Sequence, residues 1–169
     1  KGGIEADTQQ CIGSYVFLWG NKQERTPTWY GVFLEDGQET ESVDVMHYIW
    51  NKKWPKNRTP QIASFALENK TAYESVTLIS GQNSQALAVI NDYEKDALSY
   101  KRETLSESEA KQEGGDHEER PKSINGLFQN AEGGVLKFTA PIPGHYRLFV
   151  YADDGQGHAA TANIPFKVK

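Results

Sequence analysis

Four tryptophans, Trp19, Trp29, Trp50 and Trp54, fall within the first 54 residues of a 169-residue chain. An indole or phenol ring can stack on the polarised C–H face of a pyranose while flanking polar groups bond the hydroxyls. Trp19, Trp29, Tyr30 and Trp54 are therefore candidate carbohydrate-binding residues, and Trp50 belongs to the same aromatic set. Between Trp19 and Trp29 lies the polar loop NKQERTP, too polar for a core, which supplies Asn21, Gln23, Glu24 and Arg25 as hydrogen-bonding neighbours. The competing assignment is a core between a strand and a helix, and it applies most to Trp50 and Trp54.

The carboxylates give weaker signals. Retaining sugar hydrolysis needs two carboxyl groups about 5 Å apart. Glu24 has only Glu5 or Asp7 as a prospective second group, so a surface charge or loop ion pair is the expected role, and no catalytic residue is assigned. Asp92, Glu94 and Asp96 alternate ahead of a strand, where Asp116, Asp153 and Asp154 can join them in space. Such a set suits calcium, which takes six to eight oxygens, but the glycine and spacing of an EF-hand loop are missing. Solvated turn carboxylates are the plainer account, and calcium is the only cofactor the sequence suggests. His47, His117, His145 and His158 show no metal-ligand spacing, and the lone Cys11 lacks a C-x-x-C partner. Asn57-Arg58-Thr59 and Asn69-Lys70-Thr71 match glycosylation sequons, which arise by chance and are idle in a bacterial protein. No phosphate-binding loop, nucleophile elbow or His/Glu zinc motif is present.

The elements that would position these residues fall into three regions. In residues 1–55, Gly13 to Trp19 (GSYVFLW) is a continuous apolar run that suits a strand covered on both faces. Thr28 to Leu34 is a second strand-like run, followed by the turn Glu35-Asp36-Gly37-Gln38. From Glu39 to Trp50, the residues Val43, Met46, His47 and Trp50 recur at helical spacing. Glu39, Glu41 and Asp44 at the start of this helix, and Lys52 and Lys53 past its end, complement its dipole. Residues 56–60 (KNRTP) read as a linker. In residues 61–169, strand-like runs span 62–67, 75–80, 85–91, 97–104, 135–140, 144–152 and 159–168, punctuated by glycine-rich turns. That spacing predicts an antiparallel β-sandwich. Within the clearest hairpin, Tyr146, Leu148 and Val150 share one face, and Arg147, Phe149 and Tyr151 the other. Residues 103–120 break the pattern as a charged, solvated loop.

Composition sets outer limits. The chain is 37% hydrophobic and 24% charged, which is enough for a soluble globular core. A net charge of -5 argues against nucleic acid as a partner. No apolar run reaches the ~20 residues of a membrane span. Residues 1–10 contain no apolar signal-peptide core.

Two resemblances follow. NDYEKDALSYKRE (Asn91 to Glu103) and FTAPIPGHYRLFVYADDGQGHAATANIPF (Phe138 to Phe166) are similar to an Ig-like domain of the PKD or cadherin-like type, found in secreted bacterial polysaccharide-degrading proteins. The sequence departs from that pattern at Arg102, where a tryptophan is usual. CIGSYVFLWGNKQERTPTWYGVF (Cys11 to Phe33), with the helix ending at Trp50, resembles the last βα unit of a (β/α)8 glycoside hydrolase. The clan is the large retaining one that includes β-glucuronidases and β-galactosidases, and Trp19 matches the aromatic residue that often ends the final barrel strand. The resemblances imply a mainly β fold, an Ig/PKD-like antiparallel sandwich at 61–169 with an N-terminal strand-plus-helix extension. They also imply the C-terminal portion of a larger secreted, periplasmic or extracellular enzyme, whose catalytic carboxylates lie on strands this sequence lacks. The expected role is a non-catalytic accessory module that binds polysaccharide or oligosaccharide, with the catalytic domain of the same protein as its other partner. A structural spacer or protein-interaction domain, and an incomplete catalytic fragment, are the alternatives. Exposure of Trp19, Trp29 and Tyr30 separates the first reading from the second.

Overall fold

A computed structural model describes residues 7, 9–111, 116–129 and 132–169. The chain is mainly β, with one described helix and three sheets. A hairpin pairs β1 (Asn21–Glu24) with β2 (Thr26–Gly31), and α1 (Glu41–Asn51) follows. One sheet holds β3 (Gln61–Leu67), β5 (Asn83–Asn91) and β7 (Val135–Thr139) in the order β3-β5-β7. The other holds β4 (Val76–Leu78), β6 (Ser99–Ser106), β8 (Gly144–Asp153) and β9 (Ala159–Val168) in the order β4-β9-β8-β6.

These sheets form a β-sandwich. In β5 burial alternates from Ser84 to Val89, so Ala86 and Ala88 face inward while Leu87 and Val89 face out. Phe65, Leu67, Ala86, Leu136 and Phe138 of one sheet share a buried cluster with Leu78, Leu148, Val150, Ile164 and Phe166 of the other. Tyr146, Leu148 and Val150 belong to that core, as the period-two pattern predicts. One pairing departs from the antiparallel expectation: β4 runs parallel to β9, with Val76 opposite Phe166. The three-residue β4 is followed by the Ile79–Gln82 turn, whose Gly81 N–H donates to Ala140 O. The chain thereby crosses to β5 in the opposite sheet rather than doubling back. Arg102 donates to Gly133 O at 2.8 Å, linking β6 to the turn before β7 in place of an apolar core contact.

The second face of β8 is covered as well. Phe149 and Tyr151 cluster with Leu105, Ala159 and Leu34, the last contributed by the N-terminal extension. Glu39 N–H donates to Gly157 O, and Ala159 N–H donates to Glu39 O, so the chain before α1 lies along the start of β9. Residues 56–60 are fastened to both neighbours. Thr59 N–H donates to the buried Asp44 carboxylate of α1 at 2.8 Å, and Asn57 donates to Asp154 at 2.7 Å. Arg58 lies 4.0 Å from the ring centroids of both Trp54 and Tyr93.

Several sequence expectations are corrected. The run Gly13 to Trp19 forms no strand, and Ile12, Tyr15 and Phe17 are exposed. A strand needs a partner edge, and the adjoining hairpin pairs with itself. NKQERTP is that hairpin rather than a loop: β1 occupies Asn21–Glu24, Arg25 turns with φ 59°, and β2 begins at Thr26. The amphipathic face of α1 is only half-buried, because Asp44 rather than an apolar residue is its one fully buried side chain. The segment 103–120 is not uniformly solvated, since Glu103, Thr104 and Glu118 are buried. No helix is long and apolar enough to cross a membrane among the described residues.

Candidate functional site

The hairpin sets the site. Thr26 and Pro27 are buried, which turns the next part of β2 outward and leaves the Trp29 side chain 63% exposed. β2 ends at Gly31, whose φ is 91° and where a Cβ would collide with the Gly20 carbonyl oxygen. That close approach lets Val32 and Phe33 N–H both donate to Gly20 O and sends the chain back across the sandwich. Thr40 then spends its hydroxyl on Val32 O at 2.9 Å, fixing where α1 begins.

A cleft of about 300 Å³ opens between these pieces. Trp29, Tyr30 and Phe33 supply its aromatic part, Glu41 and Ser42 the start of α1, and Thr161 the β9 side. Thr28 adds a hydroxyl, and Pro60 and Ile62 an apolar edge. The Glu41 carboxylate accepts a hydrogen bond from the Gln61 side chain. An open indole beside one carboxylate and the Thr28 and Ser42 hydroxyls matches what a sugar ring requires, an apolar face to cover and acceptors and donors for its rim, while the Thr161 hydroxyl is buried. The volume lies at the small end of ligand sites.

Ring contacts carry the aromatic surface beyond the cleft. Tyr30 lies 5.2 Å from Trp29 and 5.5 Å from Phe17 between centroids, and Phe33 lies 5.3 Å from Trp19. Trp19 in turn lies 5.8 Å from Trp50, and the two are 54% and 62% exposed. Trp54 differs. Tyr48 stacks on it at 4.6 Å and the Arg58 guanidinium lies 4.0 Å from its ring centroid, leaving it 43% exposed, the least of the four tryptophans.

The polar residues read as neighbours of the tryptophans go elsewhere. The Asn21 amide donates to Pro27 O and Phe33 O, locking the hairpin from inside. The Gln23 amide and the Arg25 N–H both bond the buried Glu118 carboxylate, and Arg25 also donates to Ala110 O at 2.7 Å. Glu24 is tied to Lys22 at 2.6 Å. Gln23 and Arg25 thus reach Glu118 and Ala110 rather than the cleft, while Asn21 and Glu24 are held within the hairpin and its flank. Glu5, the prospective partner of Glu24, lies outside the described residues, and Asp7 accepts from Gln9 and Gln10 N–H in a local turn. The cleft's own polar residues, Thr28, Glu41, Ser42 and Thr161, were missed as a group because they come from three separate elements. Glu41 did stand out in the sequence, but as a complement to the helix dipole.

The acidic set does not assemble into a cation site. Asp92 accepts from Asp96 N–H at 2.7 Å, and Glu94 accepts from Arg58 N–H at 3.3 Å. Among the described residues no group of three or more His, Cys, Asp or Glu is arranged to hold a metal ion. Desolvation, then the charges of Asp92, Asp154 and Glu94, raise the Asp96 carboxyl above its ordinary value. Asp154 behaves in the opposite sense. Burial pushes its carboxyl up, but bonds from Gln156 and His158 N–H and from the His158 and Asn57 side chains outweigh that and hold it below the ordinary value. This cluster pins the β8–β9 turn to residue 57. Glu118 is likewise held low, desolvation being outweighed by bonds from Ser108, Arg25 N–H and Gln23. Arg120 pairs with the buried Glu103 at 2.7 Å, and burial pushes the adjacent Tyr151 hydroxyl well above the usual phenol range.

No family model and no curated protein matches the sequence. Among solved structures, one similar chain is a nucleoside hydrolase-related hypothetical protein from Saccharophagus degradans described as associated with carbohydrate metabolism. The likeness has a TM-score of 0.40 at 15% identity and covers 67% of this chain and 26% of that one. The present chain thus spans about a quarter of that protein's length. Another is PcoC, a copper resistance protein from Escherichia coli, with a TM-score of 0.33 at 15% identity, covering 64% of this chain and 99% of that one. At these scores neither likeness carries an argument about function.

Proposed function

We propose that this chain is a non-catalytic carbohydrate-binding accessory module of a secreted polysaccharide-degrading glycoside hydrolase. The observation that carries the reading is the open indole of Trp29 at the edge of a polar cleft, with Trp19 and Trp50 extending the aromatic surface. The Ig/PKD-like type is part of the proposal; strands in a three-plus-four sandwich support it. The catalytic domain of the same larger protein is the other proposed partner. Affinity electrophoresis against β-glucan, xylan, mannan, pectin and alginate tests the binding. At least one polymer retards the protein, and Trp29→Ala weakens that retardation about tenfold, as loss of a stacking platform does. Trp54→Ala leaves it unchanged. Absence of retardation by every polymer overturns the reading.

A second reading, a protein-interaction module, draws on a different observation. Ile12, Tyr15 and Phe17 stand exposed on a run without strand pairing, and clustered large apolar side chains mark interaction surfaces. Under it, Tyr15→Ser with Phe17→Ser abolishes association with the catalytic domain and leaves glycan retardation intact.

A further inference from the structure

We infer that the cleft beside Trp29 selects neutral glycans and discriminates against uronate-bearing or sulfated ones; this rests on the carbohydrate-binding reading of the same cleft. The argument is a count of charge. Among the described residues bordering the cleft, Glu41 is the one charged side chain, and no lysine, arginine or histidine is present. Sites for anionic sugars supply guanidinium or ammonium groups to pair the carboxylate or sulfate.

Two nearby positive features do not reverse the sign. The N-terminus of α1 reaches the cleft and brings roughly half a positive charge. Its first turn carries two acidic side chains, Glu41 and Asp44, which oppose that positive end. Lys22 Nζ lies 5.9 Å from the Tyr30 ring centroid, yet it is 2.6 Å from the Glu24 carboxylate, and the pair adds no net charge. A sugar carboxylate in this recess would meet like charge with no counter-cation. A neutral sugar's hydroxyls can donate to Glu41 and exchange bonds with Thr28 and Ser42.

The test uses polymers that share a backbone and differ in charge. Affinity electrophoresis of the full chain compares hydroxyethyl cellulose with carboxymethyl cellulose, and fully methyl-esterified homogalacturonan with polygalacturonate. In at least one pair the neutral polymer retards the protein about tenfold more strongly than the anionic one at low salt, and the gap narrows near 0.5 M salt as screening shortens the reach of charge, roughly to 4 Å. Glu41→Gln keeps an oxygen acceptor for Gln61 and cuts the low-salt gap to about threefold or less. Glu119→Gln changes the net charge equally at a side chain bordering a different recess, and leaves the gap intact. Anionic polymer retarding the protein as strongly as its neutral counterpart overturns the inference while leaving carbohydrate binding standing. So does an equal response to Glu41→Gln and Glu119→Gln, which would trace the gap to the overall charge of -5. Silence from all four polymers and from the wider panel overturns the carbohydrate reading itself, and this inference with it.

Discussion

Asp154 shows how one side chain can hold distant parts of this chain together. Its carboxylate accepts from the Gln156 and His158 N–H groups of its own turn and from the Asn57 and His158 side chains. Because its folded pKa lies below the unfolded value, its contribution is fully present above about pH 4 and is lost as pH falls through the folded pKa. Urea denaturation of Asp154→Asn at pH 7 should therefore show a loss of about 1–3 kcal/mol against wild type. That difference shrinks as pH drops toward 3, and a gap that stays constant with pH would refute the account. Trp54 makes a second case at this scale. Packed between Tyr48 and Arg58, it should cost about 1–2 kcal/mol on replacement by alanine, whereas Trp29→Ala costs less than about 0.5 kcal/mol because its ring is open to water. The sequence favours a core role for Trp54 over Trp29 but does not show what lies against either ring. Tyr48 and Arg58 lie against Trp54, whereas Tyr30 is the ring beside Trp29.

The β1–β2 hairpin and α1 illustrate the next scale. Gly31 lies where the strand ends, and its left-handed φ of 91° together with the Gly20 carbonyl at its back excludes any side chain. Gly31→Ala is expected to destabilise the chain by about 2 kcal/mol or more and to disturb Trp29 and Tyr30, two residues or fewer away. Thermal melts and intrinsic fluorescence read both effects; an unshifted melting temperature would show that the hairpin does not have this geometry. The seven strands of the sandwich were legible because alternation and turn residues mark them locally, as in Ser84 to Val89. The hairpin was not legible, since NKQE lacks the β-branched residues that signal a strand and its turn residue is Arg25 rather than glycine. The run Gly13 to Trp19 misled in the other direction: its composition fits a strand, but composition cannot supply an edge to pair with.

At the scale of the whole molecule, the extension and the sandwich share buried surface through Leu34, Phe149, Tyr151 and Ala159. All four tryptophans lie in the first 54 residues, so tryptophan fluorescence reports the extension while far-UV circular dichroism is dominated by the strands. The two signals should melt together in one transition, and separate midpoints would show that the extension unfolds alone. Leu148→Ala, at a fully buried position between the sheets, should lower both midpoints together, with a cost of about 2–5 kcal/mol. Leu87→Ala, on the open face of β5, should change stability by less than about 0.5 kcal/mol. By itself the sequence determined the strands of the sandwich, the position of α1 and the aromatic crowding of the first third, because each is written in residues adjacent along the chain. The tertiary structure decided which indole keeps an open face and which polar groups surround it. Glu41, Thr28 and Thr161 come from three elements, and only the packing of those elements gives them a common cleft and a common charge.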